Sequence, residues 1–479
     1  MKYNLFFIFG FSCCVLFFGP QRSNAQEKTD KGFQAGSAMS VITPPLGYSI
    51  NGGMQDRNVL NVHDETHARA IVLDDGVTRL AFVVSDLCMV YRETLDKAKA
   101  RAHEFTGIPT ENMMMSATHT HSSGTACAVF QSDPEPEYLD FLSIRIADAL
   151  IRANENRVPA RIGWGFGSEP SQVHNRRWKL KPGKTSPNPF GGEDVVQMNP
   201  GVNNENKLEP AGPTDPEVSV VSVVAKTGEP IAVLANYSLH YVGRTGPGEL
   251  SADYFGMFNQ RMAELLNATG QKTPFVSIMS NGTSGDINNN DYSGKIGIAP
   301  GPYVQMNYVA NLVASEAYKV IQNIEYQDNP KLSSAQKEIS IGVRLPDEAE
   351  IKRAEEIVAN AEGPNMKTRD EIYARETILI SDYPDEVDMI LQAFRIGDLA
   401  IAAIPCEVFV QIGLNLKENS AIKPMFTISL ANGYFGYLPT PQHHSWGGYE
   451  TWRARSSFLE VNASEKITEV LFGLLEDLK

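Results

Sequence analysis

Two histidines separated by one residue stand at the end of an apolar run. The stretch MMMSATHTHSSGTAC, residues 113–127, places His119 and His121 directly after a Met-rich segment that is typical of a buried strand. Because side chains alternate along a strand, both imidazoles are expected on the same face. Such a pair can chelate one metal ion, divide metal binding and catalysis between its members, or make structural hydrogen bonds. The pair alone leaves these interpretations open.

Three further segments place polar side chains where an apolar strand ends. His240 follows IAVLANYSL, Glu407 follows IAAIPC, and Tyr434 and Tyr437 follow MFTISLAN. Sites of α/β proteins collect at the carboxyl ends of strands, and a carboxylate after a buried run needs a cation or several donors. The structural alternatives are strand capping for the histidine, helix N-capping for the glutamate and packing for the tyrosines. One cluster of metal ligands is the simpler interpretation of all four.

A segment with two glycines, FVSIMSNGTSGDINNND at residues 275–291, also follows a strand. Its glycines permit tight turns, and its polar side chains include Ser284 and Asn288. By residue type it is a turn with Asx capping, because the glutamate and the spacing of a calcium-binding EF-hand loop are absent.

The rest of the chain alternates short apolar runs with amphipathic patterns. ARAIVL, LAFVVSD and EVSVVSVVA indicate strands, and residues 93–105 and 138–156 indicate helices. This alternation predicts an α/β fold of layered mixed sheets flanked by helices, in one large domain over residues 26–479. Residues 179–214, rich in Pro, Gly, Asn and Lys, predict a long functional or mobile loop, and residues 347–363 a peripheral charged helix.

The first 25 residues have the pattern of a secretory signal. Lys2 precedes an apolar run at residues 5–18, and SNA forms a small-residue cleavage site. The run is too short to span a membrane and no later segment is apolar for long enough, so we expect a secreted or periplasmic protein. The GFSC context disfavours a lipid anchor. Three cysteines of the mature chain leave room for one disulfide: Cys88, Cys127 and Cys406.

The composition is that of a folded, acidic protein. Hydrophobic residues make up 42% of the chain and charged residues 21%, with a formal net charge of -15. Such a surface repels phosphate backbones and anionic lipid, so nucleic acid is not an expected partner.

In their order along the chain, the motifs resemble the catalytic domain of neutral/alkaline non-lysosomal ceramidases. QAGSAMSVITPP resembles that family's opening strand, THTHSSGT its Thr-His-Thr-His-Ser-Gly stretch, and SADYFG its Ser-Ala-Asp-x-Pro-Gly turn. IPCEVF resembles Pro-Gly-Glu-Phe, and NGYFGYLPT resembles Asn-x-Tyr-x-x-Tyr-x-x-Thr. The resemblance covers most of the mature chain and implies the fold of that catalytic domain.

The resemblance also implies a metal site and a reaction. The implied ligands of a catalytic zinc ion are His119, His240, Glu407 and Tyr437. It places His121 at the reaction centre, and HNRRW is similar to the family's Asn-Arg-Ser stretch, which makes Arg176 a candidate contact of the substrate or oxyanion. The implied reaction is hydrolysis of an N-acyl bond in ceramide or a related lipid by zinc-activated water. The candidate substrate-binding residues are Tyr434, Ser284 and Asn288.

Two features depart from the family pattern. GDINNN stands where the family has Gly-Asp-Val-Ser-Pro-Asn, so Asn288 occupies the place of a serine implicated in activity, and Ser284 is a candidate substitute. The chain also ends soon after the tyrosine motif, so we expect the family's C-terminal immunoglobulin-like domain to be absent. The alternatives are a metal-dependent hydrolase or lyase that acts on an acidic glycan, and a metal-containing binding protein without turnover.

Overall fold

Two mixed β-sheets lie at the centre of a computed structural model that describes residues 1–3 and 32–479. In chain order the strands of three or more residues are β1 (Gln34–Val41), β2 (His67–Asp74), β3 (Arg79–Ser85), β4 (Met113–Ala117), β5 (Val158–Ser168), β6 (Arg177–Leu180), β7 (Val196–Met198), β8 (Lys207–Pro210), β9 (Glu217–Ala225), β10 (Pro230–Tyr237), β11 (Val276–Asn281), β12 (Leu332–Gly342), β13 (Glu386–Ile396), β14 (Leu399–Ala403) and β15 (Met425–Ile428). The main sheet has the order β11-β10-β9-β5-β1-β2-β3-β4, and the second sheet has the order β12-β13-β14-β15.

Helices flank these sheets, which confirms the predicted α/β class. They are α1 (Arg92–Thr106), α2 (Pro136–Glu155), α3 (Asp253–Leu265), α4 (Val304–Ile321), α5 (Glu348–Ala359), α6 (Arg369–Ser381), α7 (Val410–Asn419), α8 (Pro441–Trp446) and α9 (Ala463–Asp477). No helix in the described part of the chain is long and apolar enough to cross a membrane. The predicted signal at residues 1–25 lies outside the described residues, apart from residues 1–3, and stays a prediction.

The main sheet divides into two halves that enclose a core. β1 pairs with β5 only at Gln34 and Ala35, so the halves separate beyond these residues. Apolar side chains of both halves then meet those of the second sheet, among them Ile71, Phe82, Val221, Leu234, Phe394 and Phe426. Burial of this apolar surface is the main stabilising contribution to the fold.

Helix α2 covers the edge of β1 that the separation leaves unpaired. Two of its side chains and that of Asn156, which follows its last residue, donate hydrogen bonds to three alternate carbonyls of the strand: Asn156 to Ser37 at 2.9 Å, Arg152 to Met39 at 2.9 Å, and Arg145 to Val41 at 3.3 Å. The helix end lies so close that a Cβ at Gly36 would stand 2.3 Å from the carbonyl oxygen of Ala153. The side-chain donors therefore satisfy carbonyls that would otherwise be open to pairing with another chain. Gly36 leaves the room that the helix end needs to lie against the strand.

Three parallel strand pairs direct their carboxyl ends toward the site residues. β3 with β4, β10 with β11, and β14 with β15 pair in parallel. The chain leaves β4 toward His119, β10 toward His240 and β14 toward Glu407. The sheets thus bring together loops from distant parts of the sequence.

The structure differs from the sequence expectations in several elements. Residues 179–214 are not one irregular loop, because β6, β7 and β8 form a three-stranded sheet and Ser186–Pro187 pairs with Glu193–Asp194. The charged helix expected at residues 347–363 is α5 (Glu348–Ala359), and it packs against α6. Neither α6 nor β12 was predicted from the sequence. β12 is mostly polar and partly exposed, so it carries no apolar run. The three cysteines of the described chain are buried and unpaired, so the disulfide is not formed.

Helix α2 offers a matched test of the packing. Ile146 is fully buried, whereas Ile144 on the same helix is 44% exposed. We expect Ile146→Ala to lower the free energy of unfolding by about 2–5 kcal/mol, because it leaves a cavity in the core. Ile144→Ala should change it by less than about 0.5 kcal/mol. Urea unfolding followed by circular dichroism measures both, and equal losses would contradict this packing.

Candidate metal centre

The two histidines of the His-Thr-His stretch lie beyond the end of β4. That strand stops at Ala117, and His119 has a left-handed backbone with φ of 74°. The sequence predicted that both imidazoles share a face because they lie on an extended strand, and this is wrong, since the backbone at His119 is not extended. Their Nε2 atoms nevertheless lie 3.1 Å apart, because the turn folds the second ring back toward the first.

Backbone carbonyls fix the tautomers of all three histidines at the site. The Nδ1 atoms of His119, His121 and His240 donate to the carbonyl oxygens of Cys88 at 2.8 Å, Gly52 at 2.7 Å and Ser284 at 3.0 Å. A carbonyl only accepts hydrogen bonds, so each neutral ring carries its proton on Nδ1 and presents a lone pair on Nε2. The Nε2 atoms of His119 and His240 are 2.9 Å apart. Two facing lone pairs at this distance repel each other unless a proton or a metal ion lies between them.

Glu407 completes this arrangement. It is 4% exposed, and its Oε1 accepts a hydrogen bond of 2.8 Å from the Tyr434 hydroxyl. Its Oε2 lies 3.1 Å from Nε2 of His119 and 3.7 Å from Nε2 of His240, yet it accepts no hydrogen bond among the described residues. A buried carboxylate oxygen without a donor is costly unless a cation lies beside it.

The three ligand atoms fit a single metal ion. They all lie within 4.8 Å of one another. Tetrahedral zinc with bonds of about 2.0–2.1 Å separates its nitrogen and oxygen ligands by roughly 3.3 Å, which is close to the spacing described above. His119, His240 and Glu407 therefore form a site that can hold such an ion.

The charges at the centre agree with this geometry. Burial opposes protonation of His119, but the carboxylate of Glu407 outweighs it and places the pKa of His119 well above 6.5. Burial and the neighbouring Arg176 keep the pKa of His240 well below 6.5, and burial and His119 do the same for the pKa of His121. The cluster accommodates positive charge at one place only, beside the carboxylate.

Arg176 lies next to this cluster and is held by three acceptors. Its Nε donates to Glu450 at 2.8 Å, and its Nη2 donates to the Gly285 carbonyl at 2.8 Å and to the Tyr437 hydroxyl at 3.1 Å. Tyr437 pairs in parallel with Glu407, so the sheet brings this tyrosine beside the carboxylate. Burial and then Glu407 raise the pKa of the Tyr437 phenol well above 10. Its role as a metal ligand stays a prediction.

Glu450 and Arg177 were missed by the sequence reasoning. Glu450 is fully buried and accepts hydrogen bonds from Arg176 and, at 2.6 Å, from Arg177, which is also fully buried. The adjacent arginines of HNRRW were the only available signal, since YETW resembles no motif. Glu450 therefore fixes the orientation of Arg176, and its negative charge is shared between the two guanidinium groups.

The candidate substrate-binding residues occupy different positions. Tyr434 contacts Glu407, as described above, and the Ser284 hydroxyl donates to Oδ1 of Asn281 at 2.8 Å. Asn288 donates to Oδ1 of Asn199 at 2.9 Å and pairs with His174. Tyr434 thus lies at the centre, whereas the hydroxyl of Ser284 and the amide of Asn288 are engaged with other asparagines. Substrate binding by these residues stays a prediction.

One asparagine, a polar residue of the segment at residues 275–291 that the sequence analysis gave no site role, connects the two histidine loops. Nδ2 of Asn281 donates to the carbonyl of Thr118 at 3.2 Å and to that of Leu239 at 3.3 Å. These carbonyls immediately precede His119 and His240, so a single amide joins both loops. Asn281 is 1% exposed and ends β11, so its position is set by the sheet.

His121 is held by the segment that precedes β2. Gly52 has φ of 105°, and a Cβ there would lie 2.4 Å from Cβ of His121. Arg57 donates to the carbonyl of His121 at 2.9 Å, and the ring of Tyr241 stacks on the imidazole with centroids 3.7 Å apart. These contacts fix the ring and leave its Nε2 directed toward the cluster.

The metal site can be tested without an assay of activity. We expect Glu407→Gln to weaken zinc binding by more than about 100-fold, because it removes the negative charge beside the two imidazoles. Loss of a metal ligand should lower the affinity more than the roughly 10–100-fold typical for loss of a residue that only contacts a ligand. Competition with a chromophoric chelator and elemental analysis after dialysis measure this change. The exposed Glu418→Gln should bind zinc as the unaltered protein does. Equal zinc affinity in both variants would show that Glu407 is not a ligand.

Comparisons with known proteins find a similar sequence and a similar fold. No protein-family model matches the chain. It is 22% identical over 470 residues to the neutral ceramidase of Pseudomonas aeruginosa, which covers 85% of this chain and 65% of that protein. The chain thus spans less than two thirds of the length of that curated relative.

Solved structures give the same result for the fold. The crystal structure of neutral ceramidase from Pseudomonas aeruginosa matches with a TM-score of 0.70 and 18% identity, over 94% of this chain and 75% of that chain. A structure of ceramidase complexed with C2 matches with the same values. The resemblance predicted from the motifs is confirmed, and the chain is neutral ceramidase-like over most of its length.

Proposed function

We propose that the protein is a zinc-dependent amidohydrolase that cleaves the N-acyl bond of ceramide or a related lipid. The observation that carries this proposal is the Oε2 atom of Glu407, which lies beside two imidazole Nε2 atoms and accepts no hydrogen bond in the described chain. The similarity to a neutral ceramidase supplies the substrate class. The segment at residues 1–25 would direct such an enzyme to secretion or the periplasm.

The residues that would hold zinc are His119, His240 and Glu407, with Tyr437 as the candidate fourth ligand. A zinc ion in this place supplies Lewis acidity, which lowers the pKa of water to about 7 and polarises a carbonyl oxygen. Both histidines present Nε2 because their Nδ1 atoms are committed to carbonyls. Tyr434 holds the other carboxylate oxygen of Glu407 and prevents the side chain from rotating away.

His121 is placed to move a proton. Its low pKa, caused by burial and by His119, leaves Nε2 unprotonated at neutral pH. Nε2 can accept a proton from the attacking water and return it to the leaving nitrogen of the amide. The hydrogen bond to Gly52 and the stacked Tyr241 keep that atom in one orientation through both transfers.

Arg176 is placed to stabilise negative charge. Its guanidinium is fixed by Glu450, Gly285 and Tyr437, so no reorganisation is needed when charge develops on the carbonyl oxygen. The second guanidinium, of Arg177, shares Glu450 and keeps that carboxylate from cancelling the charge of Arg176 completely.

Neither Asn288 nor Ser284 is placed to act as a side-chain nucleophile. Asn288 has an amide, which donates to Asn199, and the Ser284 hydroxyl donates to Asn281. Attack by water is therefore the route that we propose.

The test is release of fatty acid from a fluorescent short-chain ceramide by the zinc-loaded protein. We expect His121→Ala to keep its zinc but to lower kcat by about 10²–10⁴-fold, because proton transfer is lost. His103→Ala is the control, since His103 lies exposed on α1. No release by the fully zinc-loaded unaltered protein would refute ceramide hydrolysis. Unsaturated or reducing products from an acidic glycan panel would then identify the alternative enzyme.

A further inference from the structure

A buried lysine on α1 makes one side-chain hydrogen bond within the described part of the chain. Lys99 on α1 is 3% exposed, and its Nζ donates to Oδ1 of Asn432 at 2.8 Å. It forms no ion pair among the described residues, and burial lowers its pKa to about 8. A buried amine whose hydrogen bond is to an amide destabilises the fold relative to an apolar side chain of the same length, although the carboxylate of Asp96, one turn earlier, offsets part of this cost. The hydrogen bond to Asn432 is therefore the contact through which Lys99 can act on the rest of the fold.

Asn432 is the first residue of the segment at residues 432–437, called here the tyrosine turn, which carries both Tyr434 and Tyr437. It has a left-handed backbone with φ of 65°. Its Nδ2 donates to Gln392 at 2.6 Å, its Oδ1 also accepts from the backbone N–H of Met115 at 3.3 Å, and its own N–H donates to the Met115 carbonyl at 2.7 Å. These bonds join α1, β4 and β13 to one residue. The start of the turn is therefore fixed from three sides.

The same turn encloses Glu407. Two residues after Asn432, the Tyr434 hydroxyl binds Oε1 of Glu407. The Gly436 carbonyl accepts a hydrogen bond of 2.9 Å from the backbone N–H of Glu407, and Tyr437 pairs with it. A shift at the start of the turn would move the tyrosine hydroxyl and release the carboxylate to rotate. Oε2 would then leave its position beside the two imidazoles.

We propose that Lys99 and Asn432 are positioning residues of the metal centre, which fix the tyrosine turn and through Tyr434 direct Oε2 of Glu407 at the metal. This inference rests on the proposed function in one respect: the carboxylate that is positioned is taken to be a zinc ligand. Neither residue contacts the reacting atoms. Their effect is on metal affinity, through the orientation of a ligand.

Zinc affinity of the full-length protein tests this role directly. We expect Lys99→Met to raise the zinc Kd by about 10-fold, at the lower end of the 10–100-fold typical of outer partners of metal ligands. Lys97→Met is the matched control, because Lys97 is on the same helix and its side chain is 64% exposed. Urea unfolding of the zinc-free variants separates a change in affinity from a change in the folded fraction. A Kd for Lys99→Met equal to that of Lys97→Met would overturn the proposal.

A second variant and a double-mutant cycle identify the route of the effect. Asn432→Gly keeps the left-handed backbone accessible while it removes the side chain, and it should weaken zinc binding as Lys99→Met does. If Lys99 acts through Tyr434, Lys99→Met combined with Tyr434→Phe should bind zinc no more weakly than Tyr434→Phe alone. Multiplicative losses in the double variant would show an independent action and contradict the route through the tyrosine.

The two proposals fail in distinguishable ways. If the unaltered protein binds zinc tightly but releases no fatty acid from ceramide, the proposed substrate is wrong and the positioning role is unaffected. If ceramide is hydrolysed and Lys99→Met binds zinc like the control, the positioning role alone is wrong.

Discussion

Oε2 of Glu407, which accepts no hydrogen bond from the described residues, is the constraint on which the site depends. It is buried beside two imidazole nitrogens whose rings donate through Nδ1 to carbonyls, and one metal ion can satisfy all three atoms at once. The surrounding contacts maintain this unsatisfied state. Three carbonyls fix the tautomers, one tyrosine occupies the other carboxylate oxygen, and parallel strands from two sheets supply the loops.

The charges around the centre extend this argument. Two arginines and two glutamates, Arg176, Arg177, Glu407 and Glu450, are all buried there and compensate one another. A divalent ion would leave the centre with excess positive charge. Such an environment favours a transition state in which negative charge develops on a carbonyl oxygen. The electrostatics and the proposed amide hydrolysis therefore agree.

The sequence predicted correctly which side chains lie together where a side chain able to bind a metal directly follows an apolar run that forms a strand. His119, His240 and Glu407 each follow a strand, so their convergence could be predicted from the architecture of α/β proteins. Glu450, Asn281 and Lys99 have partners more than 100 residues away, and no local pattern encodes such contacts. The left-handed backbone of His119 is another such case, because the tertiary fold imposes it against the extended pattern. The mostly polar β12 was missed because its side chains are partly exposed.

The amide of Asn281 has a consequence for how this site would take up a metal ion. It joins the two histidine loops through their backbones, so the spacing of the imidazoles is set by one rigid side chain instead of a chain of 121 residues. Little conformational entropy then remains to be lost when an ion is taken up. Folding and metal loading would then be separate events, and the affinity of the site would reflect its ligands without a loss of free energy for ordering the polypeptide.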